Sequence, residues 1–178
     1  HWSSSCADDD YKKKAIYYSR TSDFEHFTAP QVLYRREDGD MIDSAIYEED
    51  GYYYLFVKSG YDPAYVQLLR SKQVTGTYEL IEEFSRCMEK LETGKYEAPT
   101  AMKLPDGTWS LYLDYYGVPG KGQGYVPFLA DCLADGHFER SDAEFSFPYG
   151  FKHGTILPIT MEEYERIKAH DWSDKGWQ

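Results

Sequence analysis

Three ionisable residues recur at nearly even spacing: Asp43, Glu97 and His153. Each opens an apolar segment after a polar loop, in Met41-Ile42-Asp43-Ser44-Ala45, Lys95-Tyr96-Glu97-Ala98-Pro99-Thr100 and Phe151-Lys152-His153-Gly154-Thr155. The steps between them are 54 and 56 residues. Two carboxylates and an imidazole gathered in one place make a pocket that can pass protons to and from a ligand. Taken singly, each has a plainer use. A carboxylate caps a loop or pairs with Lys or Arg, and a lone His more often fills a structural place. The matched spacing is what favours a shared pocket.

The elements around them repeat too. Asp43-Ser44-Ala45-Ile46-Tyr47 leads to the turn Asp50-Gly51 and a returning strand Tyr53–Val57. Glu97–Met102 leads in the same way to Asp106-Gly107 and Trp109–Leu113. An Asp-Gly pair between apolar runs is a strong hairpin signal. A third strand follows in each unit (Ile16–Ser19, Gln67–Ser71, Pro127–Ala130), then a turn and a short fourth strand near Phe27, Tyr78 or Phe138. Four antiparallel strands repeated at about 55 residues describe a β-propeller blade. The fold class expected is all-β, with the first strand of each blade lining a central channel. Asp43, Glu97 and His153 then take equivalent places on three successive inner strands, with Thr155–Ile159 as the third. The expected units are 1–36, 37–90, 91–145 and 146–160, with a helix and tail over 161–178. Residues 82–95 read as a polar connector and 117–124 as a glycine-rich surface loop. Thr160-Met161-Glu162-Glu163 is a capping box, so a helix is predicted over Met161–Ala169.

Bulk properties narrow the function. Of 178 residues 42% are apolar, enough for a packed core, and 17% are aromatic, including 18 tyrosines. This composition favours strands and surfaces on which flat rings can stack. The net charge of −12 argues against a nucleic-acid partner and a polybasic membrane patch, and no apolar run is long enough to span a bilayer. Cys6, Cys87 and Cys132 form no CxxC pair, so neither a zinc site nor a disulfide framework is read from their spacing. Asp8-Asp9-Asp10 lacks the alternating pattern of a calcium loop. No targeting signal opens the chain, and the compartment, secreted or cytoplasmic, is not indicated.

At Ile42-Asp43-Ser44-Ala45, Tyr96-Glu97-Ala98-Pro99-Thr100, the two Asp-Gly hairpins and His153-Gly154-Thr155, the chain resembles the five-bladed propeller enzymes of glycoside hydrolase family 43. These include arabinofuranosidases, β-xylosidases and arabinanases. The resemblance implies an inverting glycosidase acting on arabinose- or xylose-containing plant glycans. Glu97 matches the general acid, and Asp43 matches the Asp that orients this acid and raises its pKa. His153 matches the axial His that in several members sits beside a central calcium ion or water cluster, so a water-mediated Ca2+ is the one cofactor to consider. Arg70, Trp2 and Tyr96 are further candidates for the carbohydrate. Lys58 and the strand end Asp114-Tyr115-Tyr116 are weaker ones. The family's base Asp sits on the first blade's inner strand, and no match for it exists here. Just over three units are present, whereas a propeller closes with at least four blades. The expectation is therefore a C-terminal portion whose N-terminal blades and base lie upstream of His1. The alternatives are a non-catalytic carbohydrate-binding propeller and a protein-interaction platform.

Overall fold

A computed structural model describes residues 1–7, 10–60, 65–91, 96–116, 124–142, 147, 150 and 152–170. The acidic residues Asp8 and Asp9, most of the glycine-rich loop and the tail from 171 lie outside the described residues. Three antiparallel sheets follow one another along the chain. The first joins β1 (Trp2–Ser5), β2 (Lys14–Tyr18) and β3 (Gln31–Tyr34). The second runs β4 (Met41–Glu49), β5 (Tyr52–Ser59), β6 (Val66–Ser71) and β7 (Glu79–Leu80). Then come α1 (Glu82–Glu89), the third sheet of β8 (Tyr96–Lys103), β9 (Trp109–Tyr115), β10 (Gly124–Ala130) and β11 (Glu139–Arg140), and α2 (Met161–Ala169).

Local chemistry sets the hairpins. Between β4 and β5, Asp50 and Gly51 take φ of 52° and 76°, the left-handed pair that matches strand twist. The Glu48 carboxylate accepts from the Gly51 amide at 2.8 Å. Between β8 and β9, Gly107 has φ of 94° and Asp106 accepts from the Thr108 amide at 2.9 Å.

Successive strand residues point to opposite faces, and β5 uses both. Tyr54 and Phe56 join the core shared with the third sheet, beside Leu111, Leu113 and Phe128. Leu55 and Val57 join a second core with Ile16 and Met41, shared with the first sheet. The second sheet is thus sandwiched face to face between its neighbours, which is radial blade stacking. The chain is built of β-propeller blades, as the repeat predicts.

Three local expectations change. The connector after β7 contains a two-turn helix, α1, not an irregular polar link. Its Phe84, Cys87 and Met88 are buried at the i, i+3, i+4 spacing of one helix face, and Phe84 packs edge-on to Phe56 and Phe138 at 5.5 and 5.4 Å. Residues 24–27 form no strand: 22–25 are bends and 26–27 have no regular structure. Asp23 there accepts from the amides of Glu25 and His26 at 2.9 and 2.8 Å, a side-chain turn that replaces ladder bonding. Residues 155–159 form no strand either. Among the described residues no strand pairs with this segment, which bonds to β8 through the Ile156 amide and Thr100 Oγ1 at 3.3 Å. Helix α2 begins and ends where predicted, with both arms of its capping box formed.

Candidate active site

The inner strands β4 and β8 each carry a bulge. The pairing slips between Ile42 and Ala45 on β4 and between Glu97 and Thr100 on β8, so two residues stand opposite one. The first residue of each bulge, Asp43 or Ala98, is left-handed with φ of 47°. His153 has φ of 48°. Asp43 and Ala98 are 55 positions apart, and His153 lies 55 beyond Ala98. The equivalent places are therefore Asp43, Ala98 and His153. Glu97 stands one residue earlier in its unit, level with Ile42. This corrects the sequence alignment, which equated Glu97 with Asp43. The two bulges match each other, and the acidic residue stands at the first bulge position on β4 but one residue before it on β8.

The three side chains meet nonetheless. One donor atom from each of Asp43, Glu97 and His153 lies within 4.8 Å of the other two. Asp43 Oδ2 accepts from the Ala98 amide at 3.3 Å, across the seam between the second and third sheets. His153 Nε2 is 3.1 Å from Glu97 Oε1. The Tyr125 hydroxyl donates to the Gly154 carbonyl at 2.8 Å and accepts from the Gly154 amide, seating the backbone just after His153. The Glu97 side chain is 18% exposed and that of His153 52%, so a ligand can reach both.

Asp114 stands directly across from Glu97 on β9. It is fully buried. Neither of its carboxylate oxygens has a well-aligned hydrogen bond, though the His153 amide is near enough to draw on the carboxylate, and His153 Nε2 stands 3.7 Å from Oδ2. Burial pushes its pKa above 3.8, against the pull of Lys152 and His153. Tyr116 closes this side. Its ring lies 5.7 Å from Lys58 Nζ and 6.0 Å from Lys152 Nζ, and burial first, then the Glu97 and Asp43 charges, raises its hydroxyl above 10.0. Lys58, 2% exposed, occupies on β5 the place that Asp114 holds on β9. The pocket thus combines acids, ammonium groups and a phenol, a set suited to binding and protonating a hydroxyl-rich ligand.

A family model described as a probable glycosyl hydrolase domain, of the family 43-related kind, matches residues 1–165. The chain belongs to this glycosyl hydrolase family. Among solved structures, a xylan β-1,4-xylosidase from Bacillus halodurans C-125 is similar at 19% identity and a TM-score of 0.52, over 79% of this chain and 29% of that one. A family 43 β-1,3-galactosidase solved with galactodeoxynojirimycin aligns at 17% identity and a TM-score of 0.39, over 61% and 36%. The first likeness supports the propeller fold. The chain spans 29% of the xylosidase's length. No match was found among curated proteins. No helix among the described residues is long and apolar enough to cross a membrane.

The other predicted carbohydrate contacts of this family 43-related chain are not among the three clustered side chains. Tyr96 is 3% exposed and packs on Tyr115 and Phe128 at 5.2 and 6.0 Å. Arg70 sits over the Tyr52 ring at 5.8 Å, in a separate hollow with Lys72 and Glu79. Trp2 is exposed and stacks on Tyr17 at 6.3 Å, though its neighbour His1 reaches the Ser44 carbonyl at 3.1 Å beside the β4 bulge. Sequence reasoning ranked Asp114 low and missed Lys152. The available signal was an acidic residue ending the apolar run Trp109–Leu113.

The buried Asp114 gives a pH test. Its raised pKa means that the folded chain holds its proton to higher pH than the unfolded chain does. Stability from this group is present below 3.8 and is lost as pH rises through the folded value. Asp114→Asn removes that loss. Urea titrations at successive pH values should show the variant gaining on the wild type as pH rises above 3.8, by on the order of 1–3 kcal/mol at neutrality. A difference that stays flat with pH contradicts this account.

Proposed function

We propose that this chain supplies the acid side of the active site of an inverting glycoside hydrolase acting on arabinose- or xylose-containing plant polysaccharides and oligosaccharides. The observation that supports it best is the convergence of Asp43, Glu97 and His153 within 4.8 Å of one another, from segments that the sequence places far apart. Glu97 gives its proton to the departing glycosidic oxygen as the bond to the sugar's anomeric carbon breaks. Asp43 is the charged neighbour that orients and tunes it. Water attacks the opposite face, and a base takes the water's proton. In inverting enzymes the acid and base stand roughly 6.5–9.5 Å apart to admit that water. Asp43 is too close to Glu97 to be the base, which is assigned to none of the described carboxylates. His153 binds the sugar hydroxyls or, through water, a calcium ion. Waters would have to supply most of that ion's about 6–8 oxygens, and no step is assigned to it. The pentose specificity rests on the family resemblance.

The test uses the protein that carries this chain, with an aryl α-L-arabinofuranoside and an aryl β-D-xyloside. Proton NMR of the freshly released sugar should show the anomer opposite to the substrate's. Retention of configuration would overturn the mechanism. Sugar binding with no hydrolysis would favour a non-catalytic binding propeller.

A further inference from the structure

A second group of donor atoms lies away from the pocket, where α1 meets the loop before β11. Glu83, Cys87 and His137 each offer one donor atom within 4.8 Å of the other two. Glu83 and Cys87 are one helical turn apart on α1, so their side chains share a face. His137 comes from the other side of the contact, between β10 and β11. Its approach is fixed by backbone shape. Gly136 has φ of +66°, and a Cβ there would come within 2.5 Å of Ile81 Cγ2 and 3.0 Å of the Phe84 nitrogen. Only glycine lets the loop press this closely on the start of α1. Phe138, one residue beyond His137, packs on Phe84.

The outer contacts leave the donor atoms in usable orientations. Arg86 holds Glu83 through Oε2 at 2.8 Å, which leaves Oε1 facing His137 Nδ1 at 3.8 Å. His137 Nε2 in turn lies 3.2 Å from Glu139 Oε1. A carboxylate on the far ring nitrogen fixes the tautomer and directs the other nitrogen's lone pair, the usual support of a metal-bound imidazole. Cys87 is a free thiol at 8% exposure, whereas Glu83 and His137 are open to solvent at 34% and 56%, so an ion has a way in.

We propose that Glu83 Oε1, Cys87 Sγ and His137 Nδ1 form a binding site for a divalent transition metal of the zinc class, with water as the fourth ligand. A thiolate and an imidazole favour such an ion over calcium or magnesium, which prefer oxygen donors alone. Tetrahedral zinc with bonds of about 2.0–2.3 Å puts its donors roughly 3.3–3.5 Å apart. Glu83 Oε1 and His137 Nδ1, now 3.8 Å apart, therefore need little movement, and Cys87 Sγ, within 4.8 Å of both, closes the rest by side-chain rotation. Binding releases the Cys87 proton and ties the helix between two blades to the outer edge of the next sheet. It does not depend on the glycosidase reading.

The experiment is a Co2+ and Zn2+ titration of the protein that carries this chain, followed by absorption and by competition with a chromophoric chelator. One equivalent of Co2+ should give a thiolate-to-cobalt charge-transfer band that Zn2+ displaces. Cys87→Ser should abolish the band, while Cys132→Ser and Cys6→Ser keep it. His137→Gln is a surface change that leaves the core intact, and it should weaken Zn2+ binding by more than the about 10–100-fold expected for loss of an outer partner. Glu139→Gln should weaken it within that range. A band that survives Cys87→Ser or follows Cys132, Zn2+ affinity unchanged by His137→Gln, or no stoichiometric uptake would each overturn the site.

Discussion

Glu97→Gln is expected to lower hydrolysis of an unactivated pentoside by about 10²–10⁴-fold, the usual contribution of a general acid, while sugar affinity changes little. Glutamine keeps the shape and can still bond to a sugar hydroxyl, but it has no proton to give. The loss should depend on the leaving group. A dinitrophenyl glycoside departs as a stable phenolate and needs no protonation, so its cleavage should fall far less than that of an alkyl glycoside or an oligosaccharide. The falling limb of the pH–rate profile should also vanish in the variant. Equal losses for good and poor leaving groups would remove Glu97 from the acid role and leave it a binding residue.

Glu49→Ala should be the most destabilising single change within the seam between the second and third sheets. Glu49 is 7% exposed and accepts from the Trp109 indole at 2.6 Å, the Leu133 amide at 2.7 Å and Lys103 Nζ at 2.9 Å. Removing the carboxylate strands two buried donors, the Trp109 indole and the Leu133 amide, while the half-exposed Lys103 turns to water. At about 1–3 kcal/mol for each unsatisfied group, roughly 2–5 kcal/mol is the expected loss. Glu49→Gln keeps the shape but must present an amide N–H to at least one donor, at about 1–3 kcal/mol. Burial alone would push the Glu49 pKa up, but its three partners outweigh burial and hold it below 4.5. The unfolded chain therefore takes up this proton first as pH falls below 4.5, and the contribution disappears as pH drops through the folded value. Denaturation of wild type and Glu49→Gln should differ most near neutrality and converge in acid. A gap that persists well below pH 4 would show that packing, not charge, accounts for the loss.

What the sequence made legible was local. The Asp-Gly turns declare their left-handed pair in two residues, the capping box of α2 in four, and the blades by simple recurrence. What it hid depends on partners far along the chain. Glu49 draws its donors from positions 103, 109 and 133, so nothing near it signals a buried hub. Asp114 matters because β9 places it across from Glu97. Helix α1 was masked by charged residues on its outer face, although Phe84, Cys87 and Met88 already held the helical spacing. The one-residue error in matching Glu97 to Asp43 came from following residue type, two acids 54 positions apart, whereas the two matching bulges set the structural period at 55. Cys87 and His137 lie 50 positions apart, so no local motif joins them.

Strands β4 and β8 are cross-linked at three heights: Asp43 to the Ala98 amide at 3.3 Å, the Tyr47 hydroxyl to the Ala101 amide at 2.6 Å, and Glu49 to Lys103 at 2.9 Å. They behave as a pair of rails whose gauge is held by ties along their length. The acids sit at one end and the strongest tie at the other. A substitution remote from any sugar can thus alter turnover by changing how firmly two carboxyl groups keep their separation, and engineering for speed or heat tolerance here acts on the same few atoms.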